Sequence, residues 1–326
     1  MRRRDFISLL GAAAAWPFMA RAQQPAMPTI GYMSARSPAD TVQVLEAFHK
    51  GLGEGGFVSD RNVNVEYRWA HGDYSRLPAL AAELVQRRVT VLVGTGGELS
   101  ARAAKEATAT IPVVFNMGSD PVEAGLVQSF NRPGGNITGS IILSEAMEQK
   151  RFGILQEAVP NVVLFGAIVN PNYSASADQM SDLERAAPKL GRQLFVAKAS
   201  NDAELDAAFA ALLRERVGAL LVASDPYFDT RRRSIIAFAA ENRLPAIYQF
   251  REYAFEGGLI SYGPSITDAY RQVGIYVARI LKGEKPADLP VLQPIKFDFV
   301  INLKTAKMLG LIVPPTLVAR ANEVID

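Results

Sequence analysis

Short apolar runs of strand length alternate with segments of helical period along this chain, and the whole series occurs twice. Residues 29–33 form the first such run, and over 40–53 Val44, Leu45 and Phe48 recur at helical spacing. Gly51, Gly53, Gly55 and Gly56 then stop that helix. The pattern continues with a strand at 64–69, a helix at 77–87, a strand at 89–93, a helix at 99–108 and a strand at 113–116. This is βαβ order, which predicts a parallel sheet covered by helices on both faces. The turn cluster Arg132-Pro133-Gly134-Gly135-Asn136 marks the end of the first series, with an extended apolar run at 137–143 after it.

The second series runs helix 147–158, strand 162–169, helix 175–190, strand 193–197, helix 202–216, strand 219–222, helix 230–242 and strand 246–248. Two half-chains of one pattern predict an α/β fold of two doubly wound parallel-sheet lobes joined by hinge strands. Lobe 1 is expected over 29–139 and lobe 2 over 143–262. A helix at 266–281, a Lys- and Pro-rich connector and an extended run at 295–301 follow. Residues 265–326 are therefore expected to cross back and be shared between the lobes.

The N-terminus reads as an address. Arg3-Arg4-Asp5-Phe6-Ile7 fits the twin-arginine export pattern, and an apolar stretch over 7–20 ends at Ala20-Arg21-Ala22. Small residues flanking one spacer suit a signal peptidase, so cleavage is expected after Ala22, giving a twin-arginine signal peptide over 1–22 and a periplasmic protein. The stretch is too short and too rich in small residues for a membrane span of about 20 strongly apolar residues. What remains of the 326 residues is long enough for two domains of about 150 each. Removing the signal takes Arg2, Arg3, Arg4 and Arg21 against Asp5, which turns a formal charge of +2 into −1. Such a surface offers no clustered cations for nucleic acid. The sequence has no cysteine, which excludes disulfides, thiolate metal sites and a lipidated cysteine. Its two histidines, His49 and His71, fall in different segments, too little for a metal cluster or a histidine-based triad. No metal, no cofactor and no catalytic residue is expected.

Open parallel sheets bind ligands at the carboxyl ends of their strands, so those positions hold the candidates. The first strand ends at Ser34. The third leads through Thr95, Gly96 and Gly97 into a helix, where backbone N–H groups and the helix dipole could hold an anion. The dinucleotide motif fails, because Leu99 stands where a third glycine would be. Tight-turn geometry is the other reading of these glycines. More specific is a tripeptide found twice, Ser119-Asp120-Pro121 and Ser224-Asp225-Pro226. Asp120 and Asp225 could approach an amino group from two lobes, or each could cap a turn. Asn170 with Tyr173, Tyr227 beside Asp225, and Tyr248 with Glu252 complete the candidates, the tyrosines as walls that stack on and hydrogen-bond a ligand, or as packing at loop bases.

The motifs carry a resemblance. Ile111-Pro112-Val113-Val114-Phe115, Ser119-Asp120-Pro121-Val122, Gly125-Leu126-Val127 and the run from Arg132 to Gly139 lie in the first half; Asn302-Leu303-Lys304-Thr305-Ala306, Leu309-Gly310-Leu311 and Pro314-Pro315 lie near the end. Together they make the sequence similar to the ABC transporter substrate-binding family of type I periplasmic-binding-protein fold, in the branch of tryptophan- and phenylalanine-binding proteins. The resemblance implies a monomeric periplasmic receptor that closes on a small organic molecule, an amino acid or an aromatic or carboxylate metabolite. It also implies delivery to an ABC permease in the inner membrane. The ligand positions it implies are the turn at 94–97, Asp120, and the loops at Asn170, Asp225 and Tyr248. Two other functions remain open at this point: a sensor that signals to a membrane receptor, and a hydrolase on the same scaffold.

Overall fold

A computed structural model of the chain describes residues 27–142, 147–293 and 295–326. The expected signal at 1–22 and residue 143, where lobe 2 was expected to start, lie outside the described residues. The first series forms Thr29–Ser34 (β1), Val42–Glu54 (α1), Asn64–Trp69 (β2), Leu77–Gln86 (α2), Val91–Thr95 (β3), Glu98–Ala107 (α3), Val113–Met117 (β4) and Ile137–Ile141 (β5). Its five strands are parallel in the order β2-β1-β3-β4-β5. Every residue of β3, β4 and β5 is buried, as continuous apolar runs require when helices cover both faces.

The second series forms Glu148–Ala158 (α4), Leu164–Val169 (β6), Ser176–Lys189 (α5), Gln193–Lys198 (β7), Asp202–Arg214 (α6), Ala219–Val222 (β8), Pro226–Thr230 (α7), Arg232–Glu241 (α8), Ala246–Tyr248 (β9), Arg251–Phe255 (α9) and Ile260–Pro264 (β10). The parallel strands β7-β6-β8-β9-β10 repeat the order of the first sheet. The single helix expected over 230–242 is preceded by a separate turn of helix, because Asp225 caps an earlier start and Pro226 occupies the first helical position, where its missing N–H costs nothing. Neither α9 nor β10 shows in the periodicity, and β10 is short and ends in Gly263 and Pro264.

The chain then changes sides. Ile266–Leu281 (α10) lies against α1, and the following segment stays on the first sheet, where Leu292 exchanges backbone bonds with Gly139 and Ile141. Phe297–Asn302 (β11) returns to the second sheet, antiparallel to β10, followed by Leu303–Met308 (α11), Pro315–Val318 (α12) and Glu323–Ile325 (β12), which pairs with β11. The lobes are thus connected at three places, between β5 and α4, between β10 and α10, and between Leu292 and β11. Two of the connections touch, since Ser265 N–H donates to Lys296 O at 2.9 Å.

The α1–α10 contact depends on absent side chains. A Cβ on Gly274 would lie 2.1 Å from Phe48 O, and one on Gly51 would lie 1.9 Å from Arg271 O. The helix backbones therefore meet directly, and Phe48, Leu52, Tyr270, Val273 and Val277 pack around the crossing with Tyr32 of β1.

Candidate functional site

A sheet in the order 2-1-3-4-5 has its topological switch point between strands 1 and 3, where adjacent strand ends feed chains to opposite faces and leave a crevice. In the first lobe this point lies between the ends of β1 and β3, which continue as Ser34-Ala35-Arg36 and Thr95-Gly96-Gly97. In the second it lies between β6 and β8, which continue as Asn170 and Ser224-Asp225. The two switch points face each other.

Contacts across this interface are direct. Arg36 Nη2 meets Asp229 Oδ2 at 2.6 Å, with both side chains buried. The Tyr74 hydroxyl donates to Asp225 Oδ2 at 2.7 Å, and Asn170 Nδ2 donates to the same oxygen at 3.1 Å. Gly96 and Gly97 take φ of 81° and 112°, conformations that side chains resist. A Cβ on Gly97 would lie 3.4 Å from both Pro226 and the Tyr173 ring, so the glycine turn sits flush against the other lobe. Between these contacts lies a cavity of about 20 Å³, lined among others by Arg36, Gly97, Tyr173, Asp225, Asp229 and Phe250. That is room for about one water. The lobes are closed.

Outside this inner cavity, toward solvent, a cavity of about 580 Å³ opens between His71, Tyr74 and Leu99 of one lobe and Asn172, Asp202 and Tyr227 of the other. A third space, about 200 Å³, lies on the opposite side of Arg36 and Phe250, and is lined also by Asp40, Gln43, Arg232, Glu252 and Glu256.

Burial sets the electrostatics. It pushes the Asp225 carboxyl up to about 6, against the hydrogen bonds from Tyr74 and Asn170 that favour the ionised form. Arg36 is opposed by burial, but Asp229 and the neighbouring Tyr270 and Glu252 outweigh it and hold the guanidinium firmly protonated. Asp229 is pushed upward by burial, while Arg36, Arg232 and hydrogen bonds from Gln249 Nε2 at 2.6 Å and Tyr253 Oη at 3.2 Å pull against it. Several buried polar atoms near Arg36 lack a hydrogen-bond partner among the described residues: Arg36 Nε, both Glu252 carboxylate oxygens and the Tyr270 hydroxyl. Each such group costs about 1–3 kcal/mol unless a ligand or water meets it.

The structure brings most of the sequence candidates together. Gly96, Gly97, Tyr173 and Asp225 line the inner cavity, and Asn170 and Tyr227 line the outer one. Ser34 and Thr95 lie just beneath as supports. Ser34 Oγ accepts from Arg36 N at 3.2 Å, and Thr95 Oγ1 bonds Tyr32 Oη at 3.2 Å and Met33 O at 3.3 Å. Tyr227 is held by its hydroxyl on Asp202 Oδ1 at 2.9 Å.

Three candidates are placed elsewhere, Glu252 among them, which lines the third space. Asp120 Oδ1 accepts from Val122 N at 2.7 Å and Glu123 N at 3.2 Å, which makes it a turn cap, and it lines neither inter-lobe cavity. The reason is strand order, since β4 stands one place away from the switch point and β8 stands at it. Tyr248 is a core residue, 1% exposed and stacked on Tyr253 at 4.7 Å between centroids, not a wall of the cavity. Sequence reasoning missed Arg36, Asp229, Gln249 and Phe250. Arg36 stands two residues past the end of the first strand, but nothing in the linear pattern pairs it with an acid in the other half.

Known proteins match this chain over nearly its whole length. The profile of the family described as ABC transporter substrate binding protein matches residues 38–325. A tyrosine-binding protein of Clostridioides difficile is 26% identical over 267 residues, 82% of this chain and 76% of that one. The crystal structure of a conserved domain protein from Vibrio cholerae superposes with a TM-score of 0.81 at 27% identity, covering 91% of this chain and 99% of that one. That of an ABC domain from Streptococcus pneumoniae in complex with L-Trp gives 0.80 at 25% identity with the same coverage. The two-lobed arrangement is that of periplasmic binding proteins of type I.

Proposed function

The chain belongs to the ABC transporter substrate-binding protein family, and from that premise we propose that it is an exported receptor that closes its lobes on an α-amino acid and presents it to a membrane permease. The observation that carries the ligand class is the Arg36–Asp229 pair. A guanidinium from one lobe and a carboxylate from the other meet where the switch points face each other. A zwitterion inserted between them replaces one buried ion pair by two, its carboxylate on Arg36 and its ammonium on Asp229. Taking either side chain's partner away without such a replacement is costly, because a buried charge is left unpaired. Arg36 suits a carboxylate through its planar, bidentate donor fork.

The remaining groups fit the same ligand. The Gly96–Gly97 turn opens α3, a ten-residue helix whose N-terminal amides favour an anion nearby. Asp225 offers a second acceptor, oriented by Asn170 and Tyr74. Tyr173, Phe250 and Ile142 supply the apolar wall. The inner cavity is far smaller than an amino acid, so the ligand enters an opened form and the hinge connections set its closure. The tryptophan and tyrosine bound by the relatives favour an amino acid over other carboxylates.

The test is calorimetry and thermal shift on the protein from Gln23 onward, with L-amino acids, their decarboxylated amines and their deaminated acids. A ligand at a hundred times its Kd stabilises the fold by about 2.7 kcal/mol. Binding of amino acids that is lost with either truncated form is the expected outcome; binding by none of them overturns the proposal. Export through the twin-arginine route is checked separately, since replacing Arg3 and Arg4 with lysines should leave the precursor in the cytoplasm.

A further inference from the structure

Behind Arg36 and Phe250 lies the 200 Å³ cavity, which shares those two residues with the inner site. Arg36 stands 5.5 Å over the Phe250 ring, and the two form the partition between the chambers. Six charged side chains line the 200 Å³ chamber: Arg36, Arg232, Arg233, Asp40, Glu252 and Glu256. All three arginines are committed. Arg36 pairs with Asp229 at 2.6 Å, while Arg232 and Arg233 share Glu256 at 2.5 and 3.4 Å. Two acids are left over, Asp40 from the first lobe and Glu252 from the second.

Glu252 is 8% exposed, and neither carboxylate oxygen has a hydrogen-bond partner among the described residues. Asp40 makes no ion pair or side-chain hydrogen bond there either. Burial raises both groups from their ordinary values, although the nearby charges of Arg232 and Arg36 pull both downward. A chain that buries a glutamate without a donor loses stability unless something supplies the donor. Among the described residues no three metal-ligating side chains gather, and the two acids come from opposite lobes. A primary ammonium has three donors and a guanidinium a planar fork, so either has hydrogen bonds to offer to more than one of the acids that line this cavity.

We propose that this chamber is a subsite for an organic cation, so that the amino acid bound in the cleft carries an ammonium or guanidinium at the end of its side chain, held between Glu252 and Asp40. The inference rests on the cleft reading for the position of the α-carbon. It also adds a closing force, because the cation ties an acid of one lobe to an acid of the other.

The test is calorimetry on the mature chain with L-lysine and L-arginine against their neutral counterparts L-norleucine and L-citrulline, together with cadaverine and agmatine. A charged hydrogen bond predicts a preference of roughly tenfold to a hundredfold for the cationic member of each pair. Glu252→Gln should erase that preference, and Asp40→Asn should reduce it without touching a buried side chain, which guards against a folding defect. Equal affinity within each pair, or parallel loss for both members in the two variants, overturns the subsite and leaves the cleft reading standing. Binding of cadaverine and agmatine with no amino acid bound overturns the cleft reading and keeps the subsite. If no compound binds, both fall.

Discussion

Tyr74 of the first lobe donates its hydroxyl to Asp225 Oδ2 of the second at 2.7 Å, and the accepting carboxylate is buried. Asp225 also caps α7 through Phe228 N at 3.1 Å, so one carboxylate both starts a helix and ties the lobes. A hydrogen bond to a charged group contributes about 1.5–3 kcal/mol. Tyr74→Phe should therefore loosen closure while each lobe stays folded. Small-angle scattering of the ligand-free protein should give a larger radius of gyration for the variant, and equal radii would show that this bond does not hold the lobes.

Asp225 also predicts a pH dependence. Its carboxyl sits at about 6 in the folded, closed protein, above the 3.8 of an unfolded chain. The folded state then binds more protons than the unfolded one between those values, so its stability falls as pH rises through that window and is flat above it. At 1.36 kcal/mol per unit the loss is roughly 3 kcal/mol. Other acids titrate as well, so the comparison is with Asp225→Asn, which should lose this descending component between about pH 4 and 6. Identical slopes in denaturant titrations of the two proteins would remove Asp225 from the account.

Arg36 and Asp229 are assigned opposite ends of the ligand, and each assignment has its own signature. Arg36→Met should weaken amino-acid binding by at least about tenfold and leave little difference between an amino acid and its decarboxylated amine. Asp229→Asn should do the same for an amino acid against its deaminated acid. A variant that loses affinity but keeps both discriminations would place the pair outside the ligand's reach.

Gly274→Ala places a methyl where Phe48 O already lies 2.1 Å away. Overpacking of this kind costs about 1–3 kcal/mol, and more if the helices cannot part. A lower denaturation midpoint with an unchanged slope is the expected result. An unchanged midpoint would mean that α10 shifts freely on α1.

Asp120→Ala removes a turn cap and nothing from the cavities, so stability should drop by about 1 kcal/mol. Calorimetry should find ligand affinity the same as in the parent protein. A clear loss of affinity would return Asp120 to the site.

The linear pattern was enough for the two α/β series, because a buried parallel strand is a continuous apolar run and a covering helix repeats every 3.6 residues. The motifs around Ile111–Phe115 and Arg132–Gly139 carried the family as well. Where pattern is weak the sequence was silent, as with β10, whose ISYGP holds a glycine and a proline, and β12, three residues long. The site divides the same way. Gly96, Gly97 and Asp225 could be named because strand ends are where loops converge. The Ser-Asp-Pro repeat made Asp120 and Asp225 look equivalent, and only the spatial order of strands separated them, since the third strand borders the crevice and the fourth does not. Tyr248 looked available and was taken by the core. The meeting of Arg36 with Asp229, and the placing of Asp40 and Glu252 on the walls of one chamber, depend on the closure of two separately folded lobes. Sequence periodicity reports contacts within an element and between neighbouring elements; pairs like these arise from how whole sheets are set against each other, and that is decided only in three dimensions.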